Sequence, residues 1–429
     1  MTELVKVMGQ EAGNADPVLS VRDLVVKFRL RGRELTALRG LSLDVYRGER
    51  LAIVGESGSG KSVLTRTFLG LLESNGRIDS GSILYDGYDL AKFSREREWV
   101  KIRGGRIAMV FQDPMTALNP LRTVGGQIRE ALLLHSRISG AEAKRQAIRL
   151  LDDVGIPDAE RRYRQYPHEF SGGMRQRAVI AIAAACTPEI LICDEPTTAL
   201  DVTVQAQILE LLRRLQSKYG LTVIFITHDL GVVAEIADRV AVMYAGDIVE
   251  LGSCREIFFD PRHPYTWALL SAMPQFGERG KPLCAIPGTP PDLFADVRGD
   301  AFAPRNPQAL AVDFQMRPPY FEVSPTHRAR TWLLDPRAPE LLPPEPVRRL
   351  QEAGAKYLLQ NRIPDRENRP ALHEKQEAPE PRISFRNFRK EQTAQQSPVL
   401  EEAARRLRLG EGAGNALRRS LGGGLGQYG

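Results

Sequence analysis

The chain has 429 residues, with 59 Lys+Arg against 53 Asp+Glu, 42% hydrophobic residues and four Cys. That size and apolar content support two or three folded units, and four scattered Cys exclude a disulfide-dense scaffold. The formal charge of +6 is local: residues 346–429 hold 16 Lys+Arg and 10 Asp+Glu, which leaves 43 of each sign in residues 1–345 and removes charge as an argument for a nucleic-acid partner. The longest apolar run, residues 178–186, falls far short of the ~20 residues a bilayer-crossing helix needs. No apolar signal core opens the sequence, so a cytoplasmic globular protein is the starting expectation.

Residues 1–16 are polar and are expected to be flexible. From Val18 onward, β-branched and apolar runs predict strands at residues 24–28, 51–54, 107–111, 190–194, 223–227 and 240–244. A helical stretch through Leu64 and Phe68 follows the second of these. The strand signal then vanishes after Asp113. Helices predicted at 123–134, 141–154 and 177–186 make a helical subdomain of about residues 113–185. In residues 204–215, Val204, Ile208, Leu211, Leu212 and Leu215 share one face, with Asp201 as N-cap and Gly220 just past the end. Alternating strands and helices over residues 17–260 predict an α/β domain with a mainly parallel sheet. Proline becomes frequent beyond it, so residues 261–340 read as a small, turn-rich accessory domain. Its core is expected to come from Tyr265, Trp267, Leu269, Leu270, Phe302, Phe314, Phe321, Trp332 and Leu333, with Trp332 well buried. Residues 341–429 read as a low-complexity basic tail that cannot fold alone, apart from a short amphipathic helix at 399–409.

Gly55-Glu56-Ser57-Gly58-Ser59-Gly60-Lys61-Ser62 fits G-x-x-x-x-G-K-[ST] between a strand and a helix. Glycines let backbone N–H groups wrap phosphate oxygens, and the helix start adds positive partial charge. Lys61 can reach the β- and γ-phosphates, and the Ser62 hydroxyl can ligate Mg²⁺. The strand at 190–194 ends in Asp194 and Glu195. Asp194 is suited to hold Mg²⁺ through water, and Glu195 to act as the general base on an attacking water. Two carboxylates at a strand end are also an ordinary helix-capping pair, and the phosphate loop upstream decides for chemistry. Ser171-Gly172-Gly173 at a helix start form a second anion-ready turn. Gln112 and His228 end two further strands, on the sheet edge that carries Ser62 and Asp194, where open α/β folds bind ligands.

Taken in order, GESGSGKS, VFQDP, FSGGMRQR, ILICDEPTTALD and FITHD resemble the ATP-binding subunit of an ABC transporter. FQDPMTALNP, YPHEFSGGMRQR, DPRHPYTWALL and IPGTPPDL are similar to the ATPase subunits of oligopeptide and dipeptide permeases, and the likeness runs from about residue 18 to 339. The resemblance implies an α/β, P-loop ABC-type ATPase cassette. It implies that Phe28 stacks on adenine and that Gly55, Ser57, Gly58, Gly60, Lys61, Ser62 and Val63 hold the phosphates. Ser62, Gln112 and Asp194 would hold Mg²⁺, and Gln112 would also link the site to the membrane partner. Ser171, Gly172, Gly173 and Gln176 would contact the γ-phosphate bound to an opposite subunit, with Asp201 crossing the dimer interface. Glu195, His228 and Gln112 make the catalytic set.

By the same resemblance, the chain is the ATP-hydrolysing subunit of a peptide importer at the cytoplasmic face of the cell membrane. Its implied partners are a second, paralogous ATPase subunit, two transmembrane permease subunits and an extracellular solute-binding protein, with no nucleic acid. Importers of nickel complexes or sugars are the alternative. A soluble cassette protein acting on nucleic acid or ribosomes is the distant one, disfavoured by the single cassette and neutral body. Relatives often hold an iron–sulfur cluster on four accessory-domain cysteines. Asp300, Asn306, Asp313 and Thr331 stand at those places, so no cluster is expected. Cys186, Cys193, Cys254 and Cys284 lack metal-ligand spacing and read as reduced and structural.

Overall fold

The computed structural model describes residues 16–198, 200–273, 285–295 and 297–360, without the side chains of residues 115 and 356–360. Cys284 and the expectations for residues 1–15 and 361–429 lie outside the described residues.

In chain order the main elements are β1 (Leu19–Leu30), β2 (Arg33–Val45), β3 (Arg50–Val54), α1 (Lys61–Thr67), β4 (Gly76–Tyr85), β5 (Tyr88–Asp89), β6 (Ile107–Val110), α2 (Val124–His135), α3 (Gly140–Asp153), α4 (Gly172–Ala184) and β7 (Ile190–Asp194). There follow α5 (Val202–Tyr219), β8 (Thr222–Thr227), α6 (Leu230–Ile236), β9 (Arg239–Tyr244), β10 (Asp247–Ser253), α7 (Cys254–Phe259), α8 (Pro264–Ser271), β11 (Phe321–Glu322), β12 (Arg328–Ala329) and α9 (Glu345–Gln360). The larger sheet has the order β11-β12-β10-β9-β3-β8-β7-β6. Its β9, β3, β8, β7 and β6 run parallel, and β10 joins antiparallel.

Strand side chains alternate between faces, so each parallel strand feeds two cores. In β7, Leu191 and Cys193 pack with the helices α2 to α5, while Ile190 and Ile192 pack under the second sheet. In β8, Val223 and Phe225 divide from Ile224 and Ile226 in the same way. The helical insert is held by its caps. Thr123 Oγ1 accepts from Gly126 N (3.2 Å) and Ser139 Oγ from Glu142 N (3.2 Å). In α5, Asp201 Oδ1 accepts from Thr203 and Val204 N at 3.1 and 3.0 Å, Ile208, Leu211, Leu212 and Leu215 are buried, and Gly220 (φ 65°) ends the helix in the left-handed conformation.

An antiparallel sheet, β2-β1-β4-β5, was not among the predicted elements. The strand expected at 24–28 is the middle of the twelve-residue β1. Register shifts between Val21 and Leu24, Leu24 and Val25, and Val26 and Lys27 break its alternation, and Asp23 turns to φ 46°. A bulged strand with a polar outer face loses the period-two signature.

The accessory region departs from expectation in three ways. Its β12 pairs with β10 and its β11 with β12, so it extends the main sheet. Glu250 of β10, fully buried, ties the chain there: Oε1 accepts from Arg262 N (2.6 Å) and contacts His327 Nε2 (2.8 Å), and Oε2 accepts from His263 N (3.1 Å). Of the expected core residues, Tyr265, Trp267, Leu270 and Phe302 are buried. Trp332 is only half-buried, its indole N–H donating to Met316 O (2.8 Å), and Phe314 is exposed, because this end of the region lies over short strands and turns. Finally, the expected tail contributes α9 to the fold. Its Val347 and Leu350 are buried, and Gly354 lets the helix approach Phe259 so closely that a Cβ there would lie 2.7 Å from that ring.

Candidate active site

The carboxyl ends of β3, β6, β7 and β8 carry the predicted chemistry to one edge of the parallel sheet. Beyond β3 the phosphate loop turns at Gly55 (φ 154°), where a side chain is barred because a Cβ would lie 2.1 Å from Met243 O. Gly58 (φ 80°) and Gly60 (φ 100°) hold left-handed turns before α1 begins at Lys61. The Lys61 ammonium donates to Gly55 O and Glu56 O, both at 2.8 Å. Burial holds its pKa below the usual lysine value, against the attraction of Glu195, Asp194 and Glu56. Ser57 and Gly58 are exposed at the loop tip.

Ser62 Oγ donates to Asp194 Oδ1 at 3.1 Å, joining the loop to the end of β7. Burial raises the Asp194 carboxyl above its usual value, and the Ser62 hydrogen bond with the Arg66 charge only partly opposes this. Next to it, Glu195 adopts φ 46°, a sparsely populated conformation for a residue with a side chain. Its N–H donates to Ile226 O (2.9 Å), which pins it to β8. Its Oε2 accepts from Gln112 Nε2 and Thr198 Oγ1, both at 2.9 Å, and its Oε1 meets His228 Nδ1 at 3.3 Å. Partial burial raises the Glu195 pKa, but the bonds from Thr198 and His228 and the charge of Lys61 outweigh it, so the carboxyl lies below its ordinary value and is ionised at neutral pH. An ionised carboxylate held by three polar side chains beside a phosphate-ready loop is equipped to take a proton from water.

Lys61, Ser62, Asp194, Glu195, Gln112 and His228 are thus brought together. Val63 and Phe28 lie against the core between the two sheets, and Phe28 sits half-buried with its ring over Gly76 of β4. Ser171 and Gly172 are exposed at the start of α4, where Ser171 Oγ caps the helix by accepting from Met174 N (3.4 Å). Gly173 leaves room for Val204, whose Cγ1 would lie 3.0 Å from an added Cβ. Gln176, expected to reach an opposite subunit's nucleotide, is instead buried at 2% exposure, with its amide nitrogen unpartnered. Five residues separate it from Ser171, about 1.4 turns at 3.6 residues per turn, which rotates it by about 140° onto the inner face. Asp201 is exposed and occupied as the α5 cap.

Two contributors escaped the sequence reading. Thr198 follows Glu195 by three residues, a spacing that lets a turn fold its hydroxyl back, and that was the available signal. Arg305 contacts Glu56 of the phosphate loop from 249 residues away, at 2.6 and 2.9 Å, and nothing local announces it.

Each of the four positions where cluster ligands were sought caps a turn. Asp300 Oδ1 accepts from Phe302 N (2.9 Å), Asn306 Oδ1 from Gln308 N (3.0 Å), Asp313 Oδ2 from Leu310 N (2.6 Å) and Thr331 Oγ1 from Leu333 N (3.3 Å). Cys186, Cys193 and Cys254 are free thiols, with burial raising all three and pushing Cys254 up to about 12.

A phosphate loop on a parallel sheet, a buried aspartate hydrogen-bonded to its serine and an ionised glutamate beside them define a nucleotide-hydrolysing cassette. Residues 38–198 match the family described as ABC transporter, and residues 249–312 match the oligopeptide/dipeptide transporter C-terminal region. The dimeric, ADP- and Pi-bound ATP-binding cassette MJ0796 has a similar fold, with TM-score 0.50, 28% identity, and coverage of 55% of this chain and 98% of that one. The oligopeptide transport ATP-binding protein AmiE of Streptococcus pneumoniae is 58% identical over 335 residues, 78% of this chain and 94% of that protein. The dipeptide transport ATP-binding protein DppD of Lactococcus lactis is 56% identical over 333 residues, 77% and 95% of the two chains. OppD of Bacillus subtilis, an oligopeptide transport ATP-binding protein, is 56% identical over 333 residues, 77% and 93%. The chain belongs to the oligopeptide/dipeptide transport family of ABC-transporter ATP-binding subunits, ATPases coupled to transport.

Proposed function

We propose that this chain binds and hydrolyses ATP to drive peptide uptake through separate membrane subunits, working at the cytoplasmic face of the membrane. The observation that carries the reading is the Glu195 carboxylate, ionised and held by Gln112, Thr198 and His228 beside the Ser62–Asp194 pair. The peptide cargo is supported by the relatives' names and by the C-terminal match at residues 249–312.

In this account the loop N–H groups and Lys61 bind the phosphates. Lys61 exchanges carbonyl partners for phosphate oxygens, a stronger pairing for a buried ammonium. Ser62, Asp194 and Gln112 would hold Mg²⁺. The two hard oxygens of Ser62 and Asp194 lie 3.1 Å apart, and burial leaves the Asp194 carboxyl short of compensating charge, so this donor set fits a divalent cation. When bound, Mg²⁺ supplies charge neutralisation on the β- and γ-phosphates. Glu195 accepts the proton of the attacking water, and His228, bonded to it and exposed, faces the γ-phosphate. Ser171, Gly172 and Gly173 serve the nucleotide of a second, paralogous cassette, consistent with the exposure of Ser171 and Gly172, and Asp201 lies at that interface. Phe28 supports the adenine.

Among the described residues no helix is long and apolar enough to cross a membrane. The path across the membrane is supplied by the two permease subunits, and the exposed Phe111 and Leu121 around Gln112 suit docking on them. An extracellular binding protein delivers the peptide. The oxygen and amide caps at Asp300, Asn306, Asp313 and Thr331 support a C-terminal region ordered without an iron–sulfur cluster.

The test is uptake of labelled oligopeptide into proteoliposomes holding the complete transporter. Accumulation should need ATP and be competed by unlabelled oligopeptides. Competition by nickel chelates or sugars, with none by peptides, would contradict the cargo assignment.

A further inference from the structure

We propose that Arg305 and Tyr265 are positioning residues for the phosphate loop, so that the C-terminal region sets how tightly the cassette holds nucleotide. The proposal rests on the reading of residues 55–62 as the nucleotide loop.

Glu56, the first variable residue of that loop, is held at every polar group. Its carboxylate takes a two-pronged pair from Arg305, Nη1 to Oε2 at 2.6 Å and Nη2 to Oε1 at 2.9 Å. Its N–H donates to the Tyr265 hydroxyl at 2.8 Å, and its carbonyl accepts from Lys61 at 2.8 Å. Two of these partners come from the C-terminal region and the third is the phosphate-binding lysine.

Arg305 is itself locked in place. Its side chain is 4% exposed, Nη1 also donates to the Tyr244 hydroxyl (3.1 Å), and Nε donates to Pro287 O (2.8 Å). The Tyr244, Tyr265 and Phe302 rings pack on one another with centroids 4.5–5.4 Å apart, and the guanidinium lies over Tyr244 and Phe302. A planar fork held by two hydrogen bonds and two aromatic rings fixes its carboxylate partner.

The rest of the region is anchored on the cassette independently. Thr36 N donates to Leu293 O (3.1 Å), Arg39 donates to Val297 O (3.0 Å), and Arg33 lies over the Phe294 ring (4.7 Å). The clamp therefore bears on Glu56 from a fixed support. It keeps the carbonyl that Lys61 bonds at one place and removes a flexible half-loop that nucleotide would otherwise have to order. By reciprocity, bound nucleotide stabilises the C-terminal region.

The test uses the full-length chain assembled with its partner subunits, with ATP turnover and binding of a fluorescent ATP analogue as readouts. Arg305→Met and Tyr265→Phe should each raise KM for ATP and the analogue Kd, by about tenfold for Arg305→Met, while kcat changes by less than about threefold. Arg305→Lys should recover part of the affinity. In the Glu56→Gln/Arg305→Met cycle, the second substitution should add little to the first. If Arg305→Met fails to fold, Tyr265→Phe and Glu56→Gln carry the same comparison.

Unchanged KM and Kd in Tyr265→Phe and Glu56→Gln, with thermal stability intact or merely lowered, would overturn the proposal. Lys61→Ala separates the two levels. If it abolishes analogue binding while the clamp variants bind normally, only the clamp falls. If Lys61→Ala binds normally as well, the nucleotide-loop reading falls with it.

Discussion

Glu195→Gln should keep ATP binding and lower hydrolysis by ~10²-fold or more. The glutamine can still meet Gln112, Thr198 and His228, which hold the present side chain at 2.9, 2.9 and 3.3 Å, so the local geometry survives. What disappears is the basic carboxylate, kept ionised by its hydrogen bonds and by the charge of Lys61. Asp194 cannot stand in for it: its carboxylate is engaged with the Ser62 hydroxyl at 3.1 Å. The variant should bind ATP with near-normal affinity and accumulate as an ATP-bound cassette dimer. Turnover within a few fold of the parent would remove Glu195 from the role of base.

Lys61→Ala should act at the earlier step, weakening ATP binding by roughly 10²-fold, because truncating one member of a desolvated charge pair costs about 2–5 kcal/mol. The lysine is buried, and its ammonium faces the carbonyls of Gly55 and Glu56 at 2.8 Å. Removing it takes away the phosphate's cation and, in the nucleotide-free loop, leaves Gly55 O without the ammonium and Glu56 O with Ser59 N alone (3.2 Å), so the loop loses both charge and shape. Equilibrium binding of a labelled nucleotide separates this loss from the Glu195→Gln defect, which leaves binding in place. Equal affinity in Lys61→Ala and the parent would detach the loop from nucleotide altogether.

The residues of the site were legible wherever chemistry follows directly from a strand end. Lys61, Ser62, Asp194, Glu195, Gln112 and His228 each lie just beyond an apolar run, and parallel strands bring such positions to one edge. Gln176 was assigned by resemblance alone, and its place about 1.4 helical turns past Ser171 puts it on the buried face. The antiparallel sheet was invisible for a related reason: bulges in β1 shift its register three times.

Helix α9 was hidden by averaging. Val347, Leu350 and Gly354 mark one buried face at helical spacing, but the composition of the whole segment from 341 onward is that of an unfoldable chain. The clamp on Glu56 and the buried Glu250–His327 contact join residues 249 and 77 positions apart. Pairing at that distance depends on the finished fold and leaves no local pattern. The same holds for Trp332, whose size suggested burial that short strands and turns do not provide.

As proposed, the cassette is one half of a composite ATPase: Glu195 and the phosphate loop lie within the chain, and Ser171 and Gly172 lie exposed for a partner's nucleotide. ATP turnover by the isolated, monomeric chain, measured beside turnover with the second cassette and the membrane subunits, tests this most directly. The predicted result is little hydrolysis by the monomer and a rise on assembly that is lost in Glu195→Gln. Full turnover by the monomer, unchanged on assembly, would contradict it.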